Sequence, residues 1–181
     1  DKKKYLKNYK KFKFKKIKVY SSIKDVFKNK KKKSYLTINE ISGIDGLEPS
    51  LNIIKFSKNF AIANKESIIC GWNFLKSELK KYKTHFIPLD SEHFSIWSLL
   101  KEDKKNIKKI YLTASGGPFL NFNLDRIKNI KPKYALKHPN WKMGKKISID
   151  SATMMNKIFE VIEAVKIFDL NSKQIDIIIH P

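Results

Sequence analysis

The sequence predicts an α/β fold in which a mostly parallel sheet flanked by helices passes into an α+β part. Three observations predict it. From Lys16 onward, short β-branched runs alternate with amphipathic helical runs, the pattern of strands joined by crossover helices. Glycine-bearing turns, SGIDG and SGGP, follow strand-like runs. Hydrophobic residues make up 41% of the 181-residue chain, ample for a packed core.

Each element follows in order. IKVYS at 17–21 reads as a strand and SIKDVFKNKKKK as its following helix; SYLTINEI reads as a strand leading into SGIDG. LEPSLNIIKFSK reads as a helix, with Leu47, Leu51 and Ile54 at helical spacing. FAIAN is the next strand, KESIICGWNFLKSELKKYK a strong helix and THFIPLD a strand. Residues 1–88 therefore read as the carboxyl-side part of a Rossmann-like, dinucleotide-binding sheet. The GxGxxG fingerprint that follows the first strand of such a domain does not occur. Either this is not a nucleotide domain, or its first strand and phosphate loop lie upstream of Asp1.

Residues 89–181 form the second part. SEHFSIWSLLKED reads as a helix with His93, Ile96, Trp97 and Leu100 on one face, and KKIYLTA as a strand ending in SGGP. The segment from about 115 to 146 has few regular signals beyond a short helix at NLDRIKNI, and loops of that length are functional or disordered. SATMMNKIFEVIEAVKIF reads as one helix capped by Asp150 or Ser151, with Met154, Ile158, Val161, Ile162 and Val165 available to the core. QIDIIIHP reads as a buried-type strand. The chain starts at Asp1 rather than methionine and stops on that strand, so a fragment of a longer protein is expected.

The net charge of +22 raises nucleic acid or an anionic membrane as partners. The excess is lysine spread along the chain, the composition of an AT-rich coding genome, and Arg126 is the only arginine. No nucleic-acid-binding motif is present, so no nucleic acid is expected as partner. Cys70, the single cysteine, excludes an internal disulfide and is expected to be buried in its apolar run. No stretch is apolar enough to span a bilayer, so no membrane is expected.

Several residues could carry chemistry. Asp90 and Glu92 stand two apart at a strand's carboxyl end, so both carboxylates project to one side in extended geometry and suit a hard cation such as Mg2+ or Mn2+. A solvated acid pair near a helix amino end is the simpler alternative. Asn156, Lys157 and Glu160 form one polar patch at helical spacing, and Glu160 is a possible third ligand; an ordinary solvent face also fits. Ser115, Gly116 and Gly117 follow a strand, where bare backbone lets N–H groups approach an anion. Ser151 at a helix start and Lys157 within two turns would add to a phosphomonoester pocket, although a tight turn plus an N-cap explains the same residues. Trp141 and Met143, between His138, Pro139 and Gly144, suit a lid that excludes water, or a tryptophan that pins the loop.

Six ordered segments, GIDGLEPSL, AIANKES, PLDSEH, TASGGPF, KHPNWKMGKKISIDSATMMNK and IIIHP, cover about Ser42 to Pro181. Through them the chain resembles the 1-deoxy-D-xylulose 5-phosphate reductoisomerase family. The resemblance implies an NADPH-dependent oxidoreductase that isomerises and reduces 1-deoxy-D-xylulose 5-phosphate to 2-C-methyl-D-erythritol 4-phosphate in non-mevalonate isoprenoid biosynthesis. It implies Mn2+ or Mg2+, with Co2+ a further candidate, on Asp90, Glu92 and Glu160. Ser115, Ser151, Asn156 and Lys157 would hold the phosphate with His138 close by, Ser91 and Lys65 would contact the substrate backbone, and His180 matches an active-site histidine. Trp141 would be the lid. Gly43, Gly46, Asn64, Lys65, Glu66, Met143 and Gly144 would lie along the cofactor, and Lys65, Glu92, His138 and Trp141 would be the catalytic set. Residues 89–181 would be the central catalytic domain, truncated at its end.

Two departures stand out. NKIFE replaces the family's common NKGLE, which puts local helix packing in doubt, and Lys142 stands where serine is frequent. The glycine-rich NADPH loop and the family's carboxyl-terminal helical domain are absent, so this 181-residue chain alone is expected to be inactive. The full-length enzyme is expected to be a cytoplasmic bacterial homodimer, with a plastid as the alternative location. Two other readings explain fewer motifs: a basic nucleic-acid-binding protein, and a metal-dependent phosphosugar lyase or aldolase without hydride transfer. Steeply salt-dependent DNA binding would favour the first.

Overall fold

Residues 18, 20, 22–27, 32–100, 107–137 and 144–180 are described by a computed structural model of the chain. A short helix α1 (Ile23–Phe27) precedes strand β1 (Ser34–Asn39), and a 3-10 turn (Ile44–Gly46) leads directly into α2 (Leu47–Ile54). Strand β2 (Ser57–Ile62), helix α3 (Lys65–Lys81) and strand β3 (His85–Pro88) complete the first unit. The three strands pair in parallel in the order β1-β2-β3, with Asn39 beside Ile62 and Ile62 beside Pro88. All three carboxyl ends therefore meet at one edge, the ligand side of an open α/β sheet.

Several local features fix this arrangement. Asn64 caps α3 by accepting from Ser67 N at 2.6 Å, a typical N-cap bond. Helix α3 then buries Ile68, Trp72, Leu75 and Leu79 against Ile54, Phe60 and Ile62, and Trp72 meets Phe86 edge-on at 5.0 Å. The helical run expected through Lys58 stops at Ile54. Phe56 is a turn residue and Ser57 opens β2, while the Thr84 hydroxyl donates towards the carbonyls of Ile54 and Ser57 at the break. Of the strand expected at 17–21, Lys18 and Tyr20 have irregular backbone and the other positions lie outside the described residues.

Helix α4 (Ser91–Leu99) follows β3 after two residues, and strand β4 (Ile110–Ala114) pairs in parallel with β5 (Ile175–Ile179). Between these strands lie α5 (Leu124–Lys128), a 3-10 turn (Pro132–Tyr134), α6 (Lys145–Ala152) and α7 (Met155–Phe168). A second apolar cluster gathers Ile96, Leu112, Ala164, Leu170 and Ile175. Helix α7 joins the two cores, since Ile167 packs on the first and Val161, Val165 and Phe168 on the second.

Three expectations are corrected here. The single helix read from Ser151 is two helices, because Met154 adopts the left-handed conformation (φ 59°) and separates α6 from α7. Strand β5 buries only Ile175, leaving Ile177, Ile178 and Ile179 more than 40% exposed. Cys70 is exposed on α3 rather than packed inside.

Candidate active site

Parallel pairing decides what can meet. Lys65 opens the helix after β2 and Asp90 follows β3, so neighbouring strands deliver them to the same edge. The Lys65 ammonium donates to Asp90 Oδ2, with both side chains less than one-fifth exposed. Ser115 follows β4 and His180 follows β5, and His180 N donates to Ala114 O at 2.8 Å. Helix α7 lies between the two sheets' carboxyl edges and supplies Asn156, Lys157 and Glu160.

These residues line one cavity of about 580 Å³, together with Ser91, Glu92, Gly116 and Ser151. Among the sequence-predicted residues, the structure thus brings together Lys65, Asp90, Ser91, Glu92, Ser115, Ser151, Asn156, Lys157, Glu160 and His180. One oxygen from each of Asp90, Glu92 and Glu160 lies within 4.8 Å of the others. Glu160 is 1% exposed, and its Oε2 is held by the Lys157 ammonium at 2.5 Å. Three hard oxygen donors at that spacing fit a divalent cation.

Two ammonium groups neutralise the carboxylates. Lys157 Nζ donates to Glu92 Oε1 at 2.9 Å and Thr113 O at 2.6 Å, so its charge sits among the acids and not in an isolated phosphate pocket. Lys65 Nζ reaches Glu160 Oε1 at 3.7 Å and Glu163 Oε2 at 3.5 Å. Burial works against both ammonium charges, yet the surrounding carboxylates outweigh it and raise both lysines above their ordinary range. Burial likewise opposes ionisation of Asp90, but the His93 ring and the Lys65 charge hold its carboxyl well below the usual range. Burial raises Glu160, with Glu92 adding to the effect against the pull of the two lysines.

His93 and Glu163 belong to this cluster and carry no predicted role. His93 is fully buried; its Nε2 donates to Glu160 O at 2.9 Å, and its Nδ1 stands 3.2 Å from Asp90 Oδ1 and 3.9 Å from Glu163 Oε2. Burial, reinforced by Asp90 and Glu160 and opposed by Lys65 and His93, pushes Glu163 up to about 7. The spacing signal was present: Lys157, Glu160, Glu163 and Ala164 form the buried stripe of α7, whereas Ile158 is 48% exposed. A charged stripe reads as a solvent face until tertiary packing turns it inward.

Ser151 also needs correcting. It lies in the last turn of α6, where helix-terminal N–H groups are not available, and not at a helix start. The nearby helix start is that of α7, where Lys157 N and Ile158 N both donate to Met154 O, so the Met155 and Asn156 N–H groups form its amino end. Gly117 explains how the SGGP loop joins them. It has φ 68°, and a Cβ there would come within 2.6 Å of Ser151 O, so only glycine lets the loop close on α6.

Of the residues expected along a cofactor, Lys65 lines the cavity, and Gly43, Gly46, Asn64, Glu66 and Gly144 do not. Asn64 is buried and uses its amide to donate to Gly43 O at 2.6 Å and to Ile41 O, so it staples the turn that holds Gly43 and Gly46. Gly43, at φ 76°, and Gly144 present bare backbone to open space. Glu66 pairs with Lys146 at 2.9 Å, and Lys146 also holds Asp150 at 2.8 Å, tying α3 to α6. His138, Trp141 and Met143 lie outside the described residues.

Fold and site define a class of protein: an α/β chain whose sheet edge carries a buried acid and lysine cluster suited to a divalent cation, next to a helix amino end. Comparison with known proteins narrows the class. A family model described as 1-deoxy-D-xylulose 5-phosphate reductoisomerase matches residues 1–71, and one described as its C-terminal domain matches residues 86–168. The chain belongs to the 1-deoxy-D-xylulose 5-phosphate reductoisomerase family. It is 64% identical over 170 residues to the reductoisomerase of Pelagibacter ubique (strain HTCC1062), covering 92% of this chain and 44% of that protein. The counterpart from Sulfurihydrogenibium sp. (strain YO3AOP1) is 50% identical, covering 81% of this chain and 38% of the relative.

Solved structures agree. A DOX-P reductoisomerase in complex with NADPH, fosmidomycin and magnesium is 40% identical with a TM-score of 0.74, over 81% of this chain and 39% of that one. The Zymomonas mobilis enzyme in complex with NADPH is 36% identical with a TM-score of 0.73, over 81% and 37%. The chain spans less than half the length of these relatives. The Rossmann-like parallel strands read from the sequence accord with these structures, and neither the nucleic-acid nor the lyase reading finds support in the matches.

Proposed function

We propose that the cavity is the cation-binding and phosphosugar-binding part of a reductoisomerase site, acting on 1-deoxy-D-xylulose 5-phosphate with NADPH. The observation that carries this reading is the convergence of Asp90, Glu92 and Glu160 oxygens within 4.8 Å, beside the amino end of α7. Similarity to a structure that holds NADPH, fosmidomycin and magnesium supports it. The division into a cofactor part through about residue 88 and a catalytic part after it belongs to the same proposal.

A bound Mg2+ or Mn2+ supplies Lewis acidity towards carbonyl and hydroxyl oxygens, and NADPH supplies a hydride. The chain's own residues do the rest. Asp90, Glu92 and Glu160 provide the hard oxygen donors. Asn156 and the amino end of α7 would attract the phosphate, with Ser115, Ser151 and Lys157 lining the same cavity and Lys157 sharing its charge with Glu92. Ser91, Lys65 and His180 line the space between, where the sugar backbone would be oriented and both fragments of a cleaved carbon–carbon bond kept in place. The bare backbone of Gly43 and Gly144, next to Asn64 and Glu66, provides a face on which a flat cofactor can lie.

Cytoplasmic location completes the reading, in keeping with the bacterial relatives, and a homodimer is the expectation that the family resemblance carries. The test is NADPH oxidation on adding 1-deoxy-D-xylulose 5-phosphate and Mn2+. A protein of the relatives' length containing this sequence should turn over, and these 181 residues alone should not. Absence of turnover in the longer protein, or a rate indifferent to Mn2+, would overturn the proposal.

A further inference from the structure

Lys65 faces three carboxylates, and they are not equivalent. Asp90 and Glu160 belong to the proposed cation-binding triad, whereas Glu163, 1% exposed, is outside it and clusters with Asp90 and His93. Glu163 Oε2 makes no hydrogen bond and stands 3.5 Å from Lys65 Nζ. A divalent cation on Asp90 and Glu160 would repel the ammonium now paired with them. Lys65 is only 13% exposed, so it cannot simply be released to water. The nearest anion outside the triad is Glu163.

We propose that Glu163 is the receiving site for Lys65: when a divalent cation takes Asp90 and Glu160, the ammonium shifts its ion pair onto Glu163. The inference rests on the cation-binding reading of the triad. His93 steadies the exchange from the other side, because its ring spans Glu160 O, Asp90 Oδ1 and Glu163 Oε2 and so keeps the donors in place while the lysine moves. Glu163 is in this role a positioning residue that acts on cation affinity through Lys65. It also groups with Asp90 and His93 within 4.8 Å, and loss of a direct ligand there would weaken Mn2+ binding equally in the natural and Lys65→Met backgrounds.

The test is a double-mutant cycle on Mn2+ affinity, measured by electron paramagnetic resonance on the intact protein. Glu163→Gln should weaken Mn2+ binding about tenfold in the natural background and by less than about twofold in a Lys65→Met background. Lys65→Met alone should tighten binding, since a competing cation is gone. Glu163→Asp keeps the charge but shortens its reach, and should show the same Lys65-dependence with a smaller effect if Glu163→Gln fails to fold. Equal weakening in both backgrounds would reduce Glu163 to a background charge and overturn the proposal, as would no weakening at all. Natural protein that binds Mn2+ no better than its Glu92→Gln variant would overturn the triad reading itself, and this inference with it.

Discussion

Lys157 Nζ lies 2.9 Å from Glu92 Oε1, joining the first turn of α7 to the first turn of α4 across 65 residues of chain. This contact spans the cavity and ties the two halves of the carboxylate triad together. Lysine thereby holds in place the acids that a cation would otherwise have to gather, which is why the site keeps its shape at a junction between two sheets.

Removing that lysine tests its structural weight. Lys157→Met leaves Glu92 and buried Glu160 facing each other with only Lys65, 3.7 Å from Glu160, to offset their charge, at a cost of about 3 kcal/mol in unfolding free energy. Mn2+ should restore much of that loss by replacing the missing charge. Denaturant titration with and without Mn2+ checks both halves of the expectation.

Glu92→Gln removes one anionic donor while preserving shape. Turnover should fall by about a hundredfold or more at ordinary cation concentrations, with thermal stability nearly unchanged. Near-normal rates would remove Glu92 from the donor set.

The pH dependence of the metal-free protein follows from Glu163 and His93. Burial lifts Glu163 from its ordinary value to about 7, and the carboxylates around His93, acting against burial, raise its ring above the ordinary histidine range. In both cases the folded state binds a proton more tightly than the unfolded state. That stabilisation is complete below the unfolded values and is lost as pH rises through the folded ones. Stability of chelator-treated protein should therefore fall between about pH 5 and 8, by on the order of 2 kcal/mol for Glu163. Asp90 acts in the opposite sense, but its depressed value places its contribution in the acid range, below this window. Glu163→Gln should make the profile shallower, leaving the parts due to His93 and to Glu160, which burial also raises, as read by thermal melts across that range.

Gly117→Ala tests the closure of the SGGP loop. A methyl group there meets Ser151 O at a backbone with φ 68°, so a loss of about 1–3 kcal/mol is expected, with weakened phosphate binding. Melting temperature and inorganic phosphate affinity should move together.

Much of this architecture was legible because it rests on short-range rules. Helix α3 and the parallel alternation of strands and helices are written in residue spacing, whereas the Asn64 cap emerged only with the structure. Asp90, Glu92 and Glu160 could be named as one ligand set only through the family resemblance, because carboxylates at a strand end and on a helix face read equally as solvated acids. Three things escaped for physical reasons. The break at Met154 needs a left-handed non-glycine residue, which sequence disfavours and tertiary packing imposes. The exposure of β5 depends on what lies beside the sheet, which residue patterns do not encode. Glu163 draws no reading from the sequence and His93 reads only as part of one helix face with Ile96, Trp97 and Leu100, because their place in the cluster exists only once α7 packs against α3 and α4.

The most direct test of the central claim is calorimetric titration of 1-deoxy-D-xylulose 5-phosphate into the intact protein with and without Mn2+. If the Asp90, Glu92 and Glu160 cluster and the α7 amino end form one site, binding should depend on Mn2+ in the natural protein, and Glu160→Gln should abolish that dependence. Binding that is equally tight without the cation, or a Mn2+ effect that survives Glu160→Gln, would contradict it.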